Sequence, residues 1–285
     1  MVFPITKTGP MKDLFLEGRG SPVLLLHGLR GNPMELQLLA QRLHAAGHTV
    51  SVPFLPGYGQ SEHDRSPLAR SERWTDMAKE RLDALVRSHG PVAAGGICIG
   101  ANLALRLAQL SGESVSALLL ISTTLYYDGW NLPSYRWLLP IAGSTPLKHC
   151  YSLREKDPYG VKNVRIREWI ARQMEITGNS AAGARDLPLT AIHEAYRLMR
   201  VVRKGLTDIG QPALILHAAE DEIASLRSPA LLASRLGSAV IRKVIFNNSY
   251  HMLTLDNDRD AVARASAAFL RELAEGTACT ARRLA

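Results

Sequence analysis

The sequence predicts an α/β fold: a mostly parallel central sheet flanked by helices, with a helical insertion interrupting it. Three observations carry this reading. Short apolar runs bounded by glycine or proline alternate with segments of helical periodicity. The alternation stops near residue 124 and resumes near 209. One strand also passes into a helix with almost no loop, in "GGICIGANLAL" (95–105).

The elements follow in order. "SPVLLLHG" (21–28) is a continuous apolar run, as a strand buried on both faces should be. "NPMELQLLAQRLHAAG" (32–47) has helical spacing, with Asn32 as N-cap, Pro33 at the first helical position and Gly47 as stop. "HTVSVPFLPGYG" (48–59) reads as a strand entering a turn, and residues 73–89 as an amphipathic helix. Then come strand "PVAAGGIC" (91–98), helix "IGANLALRLAQLSG" (99–112) and strand "VSALLLISTT" (115–124). After the break the pattern resumes with "QPALILHAAE" (211–220), a helix at 228–236, a strand at 239–247 and a helix at 258–274. Such alternation argues for a parallel sheet wrapped on both faces. Residues 124–208 show no strong strand. They contain "GWNLPSYRWLLP" and two helical pieces, "NVRIREWIARQMEI" and "LTAIHEAYRLMRVVRKGL". The division expected is a core of 1–123 and 209–285 with a helical lid at 124–208.

Composition narrows the function classes. The chain has 285 residues and 46% hydrophobic content, enough for a sizeable core. No apolar run reaches the roughly 18 residues of a membrane span. The start, "MVFPITKTGPMKDLFLEG", lacks the apolar stretch of a signal peptide, so a cytoplasmic setting is expected. Three cysteines, Cys98, Cys150 and Cys279, are too few and too scattered for a disulfide framework or a zinc knuckle, and neither metal nor cofactor is expected. The net charge is +8, and residues 131–208 carry 13 Lys/Arg against 7 Asp/Glu. Without an aromatic-plus-basic platform, this reads as a solvated basic face rather than a nucleic-acid site, and it leaves room for an acidic partner.

The frame G-x-C-x-G, Gly96 to Gly100, falls at the strand-to-helix junction. So sharp a turn crowds the backbone and leaves no room for Cβ atoms two residues to either side. The central side chain is then held strained and exposed at the head of a helix, where the positive end of the helix dipole stabilises negative charge. An isolated cysteine is more often simply buried; this setting reverses the balance and makes Cys98 a candidate nucleophile.

Four segments carry a resemblance: "LLLHGLRGNP", "LPGYGQSE", "GGICIGANLAL", and the pair "LILHAAEDEIAS" with "NNSYHMLTLDNDRDAV". Together they resemble the α/β-hydrolase superfamily, in the style of bacterial carboxylesterases and monoacylglycerol lipases, and span nearly the whole chain outside 124–208. The resemblance implies an α/β-hydrolase fold and a triad in the order nucleophile, acid, histidine. Asp221 lies just past the strand "PALILHA", where the family's acid sits, and His251 just past the strand before "NNSYH", where its histidine sits. Glu220 and Glu222 are the local rivals for the acid; the offset of Ile223 favours Asp221. His27 belongs to the HG turn; His44, His48, His63 and His89 sit away from strand ends; His193 lies in the insertion.

The implied roles are these. His251 takes the proton from Cys98 or holds it in a thiolate–imidazolium pair, and Asp221 fixes the imidazole tautomer and stabilises its charge. The backbone N–H groups of Leu29 and Ile99 form the oxyanion hole. Arg30, Trp130 and Trp137 are candidate substrate contacts, and Leu132, Tyr135, Leu138 and Leu139 suggest an apolar acyl pocket. Cysteine in place of the family's usual serine is the departure. It resembles polyhydroxyalkanoate synthases, some intracellular depolymerases, dienelactone hydrolases and certain assembly-line thioesterases. Three functions stand. The first is a hydrolase of a small-molecule acyl ester or thioester working through S-acyl-Cys98. The second is an acyltransferase that passes the acyl group to an amine, alcohol or thiol, taking it from a thioester or an acidic acyl carrier protein. The third is a non-catalytic ligand receptor, against which the intact set Cys98, Asp221 and His251 argues.

Overall fold

The computed structural model describes residues 13–59, 67–133, 138–142, 145–149 and 151–276. Its centre is a seven-stranded sheet built in chain order from β1 (Leu14–Leu16), β2 (Gly20–Leu26), β3 (His48–Val52), β4 (Val92–Ile97), β5 (Val115–Ile121) and two later strands. The helices between them are α1 (Gln37–Ala45), α2 (Ser71–His89) and α3 (Ile99–Ser111). The segment after β5 contains α4 (Leu139–Ala142), β6 (Ser152–Arg154), α5 (Val164–Thr177), β7 (Asn179–Ser180), β8 (Gly183–Ala184), β9 (Asp186–Pro188) and α6 (Leu189–Lys204). The chain then returns with β10 (Ala213–Ala218), α7 (Arg227–Arg235), β11 (Ile241–Phe246) and α8 (Arg259–Ala274).

The sheet order is β1-β3-β2-β4-β5-β10-β11, and every pairing is parallel except that of β1 with β3. The continuous apolar runs have their explanation here. On β2, Leu24 and Leu26 enter the core on one face, with Trp74, Leu82, Leu103 and Leu107 from α2 and α3. Val23 and Leu25 enter the core on the other, with Leu39 and Leu43 from α1 and Phe269 from α8. Period-two side chains on a strand covered on both sides must both be apolar, so no alternation is visible in the sequence.

Local signals act as read. Asn32 caps the first turn by accepting from Met34 N–H at 3.0 Å, Pro33 follows it, and Gly47 takes φ 102° beyond α1. That helix opens as a 3₁₀ turn over Pro33–Leu36 before becoming α-helical. Three features differ from the sequence reading. The antiparallel β1 was not expected. The segment 124–208, expected to lack strands, holds two small antiparallel sheets, β6 with β9 and β7 with β8. Strands of two or three residues are too short for any periodicity to register. Third, α6 packs against α3 and shares its core, through Ala195, Leu198, Met199 and Val202. Among the described residues, no helix is long and apolar enough to cross a membrane, and no group of three or more His, Cys, Asp or Glu is placed to hold a metal ion.

A close backbone contact joins α3 to β2. A Cβ on Gly100 would overlap the carbonyl oxygens of Leu26 and His27, and one on Gly96 would lie 2.5 Å from Leu26 O. Backbone oxygens in a central strand cannot move aside. Gly100→Ala is therefore expected to cost roughly 3 kcal/mol or more, whereas Gly210→Ala should stay within about 0.5 kcal/mol. Nothing lies within 4 Å of a Cβ at Gly210. Urea denaturation midpoints compare the two, and equal midpoints would refute this account of how α3 is seated.

Candidate active site

Cys98 stands between the end of β4 and the start of α3 with φ 57°, a left-handed conformation rare for a residue with a side chain. It is half-buried and its thiol is free. Its Sγ lies 3.5 Å from Thr124 Oγ1. The other two residues expected beside it arrive from strand ends. Asp221 follows β10, and His251 follows β11.

His251 Nδ1–H donates to both Asp221 oxygens, at 2.8 Å to Oδ2 and 2.9 Å to Oδ1. Asp221 Oδ1 also accepts the N–H groups of Ile223 and Ala224, each at 2.9 Å, so the carboxylate is fixed by its own turn. Burial pushes Asp221 up, but the charge and hydrogen bond of His251, with help from His217, hold it below the usual carboxylate range. The converse holds for His251: burial disfavours its cation, yet Asp221 and Cys98 together raise its proton affinity well above that of a free imidazole. Nε2 is buried and has no hydrogen-bond partner among the described residues. It shares with Cys98 a cavity of about 520 Å³. The Cys98 thiol is near enough to the ring to raise its proton affinity, and its Sγ also lies 3.5 Å from Thr124 Oγ1.

Leu29 and Gly28 line the same cavity, and a Cβ on Gly28 would lie 3.6 Å from Cys98 Cβ. Ile99 begins α3 directly after the elbow. No backbone carbonyl among the described residues takes the N–H of Leu29 or of Ile99.

Two expected substrate contacts are not among the residues lining this cavity. Arg30 is one; its backbone N–H donates to Tyr58 O and its carbonyl accepts from Ala184 N–H. Trp130 is 58% exposed and also lies off the cavity. Its Nε1–H donates to Glu220 O at 3.0 Å and its ring meets Tyr250 edge-on, so it fastens the start of the insertion to the loops holding Asp221 and His251. Trp137 and Tyr135 lie outside the described residues. Leu132 and Leu139 do line the cavity, with Leu153, Leu187, Ile192 and Met252, whereas Leu138 does not.

Several polar residues escaped the sequence reading. Glu222, weighed there as a rival acid, accepts His251 N–H at 3.1 Å instead of facing the ring, and burial raises it to about 7. Ser122 donates Oγ–H to His251 O at 2.6 Å. Asp256, fully buried, accepts the N–H groups of Lys162, Asn163, Tyr250 and Asn257 at 2.6 to 2.9 Å, tying the insertion to the His251 loop. His217 Nε2–H donates to Ala224 O at 2.8 Å and lies 3.5 Å from Asp221 Oδ2; burial lowers its proton affinity against the pull of Asp221. Glu35, Glu155 and Tyr127 also line the cavity. No sequence signal marks them, because an isolated Glu or Tyr reads as surface or core. His27, by contrast, is where the HG turn put it. It lies buried between Phe54 and Tyr58, and burial pushes it down to about 4.

Comparison with known proteins agrees with this fold. The thermostable monoacylglycerol lipase of Bacillus sp. (strain H-257) is 24% identical over 249 residues, covering 87% of this chain and 89% of the lipase. The carboxylesterase of Bacillus subtilis (strain 168) is 19% identical, covering 92% and 97%. Among solved structures, the Paleococcus ferrophilus monoacylglycerol lipase superposes with a TM-score of 0.74 at 18% identity, covering 92% of this chain and 98% of that one. A soluble variant of Saccharomyces cerevisiae monoglyceride lipase gives 0.73 at 14%, covering 95% and 97%. These likenesses establish the α/β-hydrolase fold. The family model described as "Serine aminopeptidase, S33" matches residues 20–258, and with most of its length inside that match the chain belongs to this α/β-hydrolase family.

Proposed function

We propose that the chain is a hydrolase of small-molecule acyl esters or thioesters that works through an S-acyl-Cys98 intermediate. The observation that carries the reading is the buried Asp221–His251 pair whose unpartnered Nε2 opens on the same cavity as the Cys98 thiol. The lipase and carboxylesterase names of the relatives support an ester as substrate. The apolar walls from Leu132, Leu153, Leu187 and Ile192 suit an acyl chain, and we take residues 124–208, which supply them, to be a lid.

The steps follow from these positions. His251 Nε2 takes the proton of the Cys98 thiol. The imidazolium so formed is what Asp221 stabilises. Thiolate adds to the acyl carbonyl carbon, and the carbonyl π pair moves to oxygen, where the N–H groups of Leu29 and Ile99 meet it. Collapse of this adduct breaks the bond to the leaving group, which departs with the proton from His251. In the second half His251 takes a proton from water, the hydroxide adds to the thioester, and collapse releases the acid and the Cys98 thiolate, which regains its proton. Acyl transfer differs only in the acceptor. It is the second reading because a thioester yields readily to amines and thiols, and an acidic carrier would suit the excess of Lys and Arg in 131–208.

Cys98→Ala is expected to abolish the covalent adduct seen by intact-protein mass spectrometry with a panel of esters and acyl thioesters, and to lower turnover by roughly 10³-fold or more. Retained turnover would mean that Cys98 only packs. Cys98→Ser should fold normally but turn over more slowly, because a hydroxyl needs a stronger base arrangement than a thiol does.

Asp221→Asn should lower kcat by roughly 10³- to 10⁴-fold, by removing the carboxylate that sets the tautomer. Its stability deficit has a definite pH window. The depressed Asp221 contributes above about pH 4 and is lost as pH falls through its folded value; the raised His251 contributes below about pH 6.5 and is lost as pH rises through its folded value. The difference in unfolding free energy between wild type and Asp221→Asn should therefore be greatest between those two pH values. A difference independent of pH would show that the pair is not ionic.

A further inference from the structure

We propose that Glu35 is a positioning residue for acyl chemistry: its carboxylate holds the His27–Gly28 peptide so that the next N–H along the chain, that of Leu29, stays aimed into the cavity. This rests on the Cys98 reading above. Nothing in the triad requires a carboxylate here, yet Glu35 is 2% exposed and lines the cavity from below the HG turn.

Gly28 lies at the centre of the argument. A glycine moves through φ and ψ more freely than any other residue, so a donor carried on the peptide after it needs external restraint. Each peptide around Gly28 is pinned. Gly28 O accepts from His27 Nδ1–H at 2.9 Å and from Gly31 N–H at 3.0 Å. In a trans peptide the carbonyl and the following N–H point in opposite directions, so fixing Gly28 O fixes Leu29 N–H. The preceding peptide is held at both ends: His27 O accepts from Tyr58 Oη–H at 2.8 Å, and Gly28 N–H donates to Glu35 Oε2 at 2.6 Å. Tyr58 and His27 are ring-stacked core residues, whereas Glu35 is a carboxylate placed where the chain could have put an apolar side chain.

The surroundings of that carboxylate are built for it. A Cβ on Gly31 would fall on the Glu35 carboxylate, and one on Gly183, across in β8, would lie 3.6 Å from Oε1. Thr254, three residues past His251, donates Oγ–H to Glu35 O at 2.6 Å, so the same residue ties the oxyanion turn to the histidine loop. Burial pushes Glu35 up to about 7 against the pull of Gly28 N–H and the His251 charge.

The test compares Glu35→Gln, which keeps size and an acceptor oxygen, with Glu35→Met, which keeps size and loses it. For Gln, kcat should stay within about threefold of wild type; for Met it should fall roughly 10- to 100-fold with KM little changed, since a misplaced rather than deleted oxyanion donor costs less than full removal. Cys98 alkylation by iodoacetamide, which displaces iodide and forms no oxyanion, should proceed at the wild-type rate in both. A Met variant with wild-type kcat, a folded Gln variant that has lost kcat, or an alkylation rate that falls along with turnover would each overturn the proposal. If Glu35→Met does not fold, the Gln result alone decides. Failure of the Cys98 reading is separately visible, as turnover persisting in Cys98→Ala.

Discussion

The structure depends on one close approach, that of the first turn of α3 to the end of β2. Gly96 and Gly100 let the backbone at the elbow come within contact of the Leu26 and His27 carbonyls, and Cys98 takes up the reversal with φ 57°. Everything functional in the site is a consequence of that distance. Because α3 begins against β2, the HG turn that follows β2 is brought against the elbow, and a Cβ on Gly28 would lie 3.6 Å from Cys98 Cβ. Because β4, β5, β10 and β11 run parallel, the strand ends that carry Cys98, Asp221 and His251 open on the same side. A larger residue at position 100 would push α3 away from the Leu26 and His27 carbonyls.

Around this contact, buried carboxylates serve mainly as clamps on backbone. Asp256 gathers four N–H groups from the insertion and from the histidine loop. Glu222 holds the N–H of His251 itself, and Glu35 that of Gly28. Loops at the ends of a parallel sheet lack strand partners for their donors, and an unpaired buried N–H costs about 1–3 kcal/mol. A carboxylate with several acceptor sites satisfies more than one donor at once and fixes their mutual positions. The same economy explains Gly129, where a Cβ would run into the backbone of Glu222: the insertion leaves the sheet pressed against the acid turn, with Gly129 N–H on Ile223 O and Asn131 N–H on Glu222 O.

What could be read in the sequence follows from how far each signal reaches. The long strands were legible because burial on both faces forces unbroken apolar runs, and the helices because their apolar stripes repeat. The elbow was legible because its glycines are required at fixed offsets. Asp221 and His251 could be named only through resemblance, since nothing local distinguishes Asp221 from Glu220 or Glu222; the structure separates the three by where each carboxylate goes, to a ring, to Lys162 and to a backbone N–H. Glu35 was not legible at all. In "NPMELQ" it looks like a solvent-facing helical position, and only contacts with Gly28 and Thr254, from distant loops, give it a role. Trp130 misled for the converse reason: an aromatic in an apolar stretch suggests a pocket wall, whereas its indole N–H found a carbonyl on the outer surface.

Burial also decides which of these carboxylates carries charge. Asp221, Glu222 and Glu35 all surround His251, and three anions beside a reaction that creates a fourth would oppose it. Asp221 alone is met by the imidazole and by two N–H groups of its own turn, and it is held below the ordinary range. Glu222 and Glu35, with less to offset the loss of water, rise to about 7. Near neutrality the site therefore keeps one firmly ionised acid, placed on the far side of the imidazole from the thiol. The two others hold backbone N–H groups, and either an ionised or a neutral carboxyl oxygen can accept those bonds. Carboxyl groups used as clamps in this way need not be anions, which is how so acidic a wall can stand around anionic chemistry.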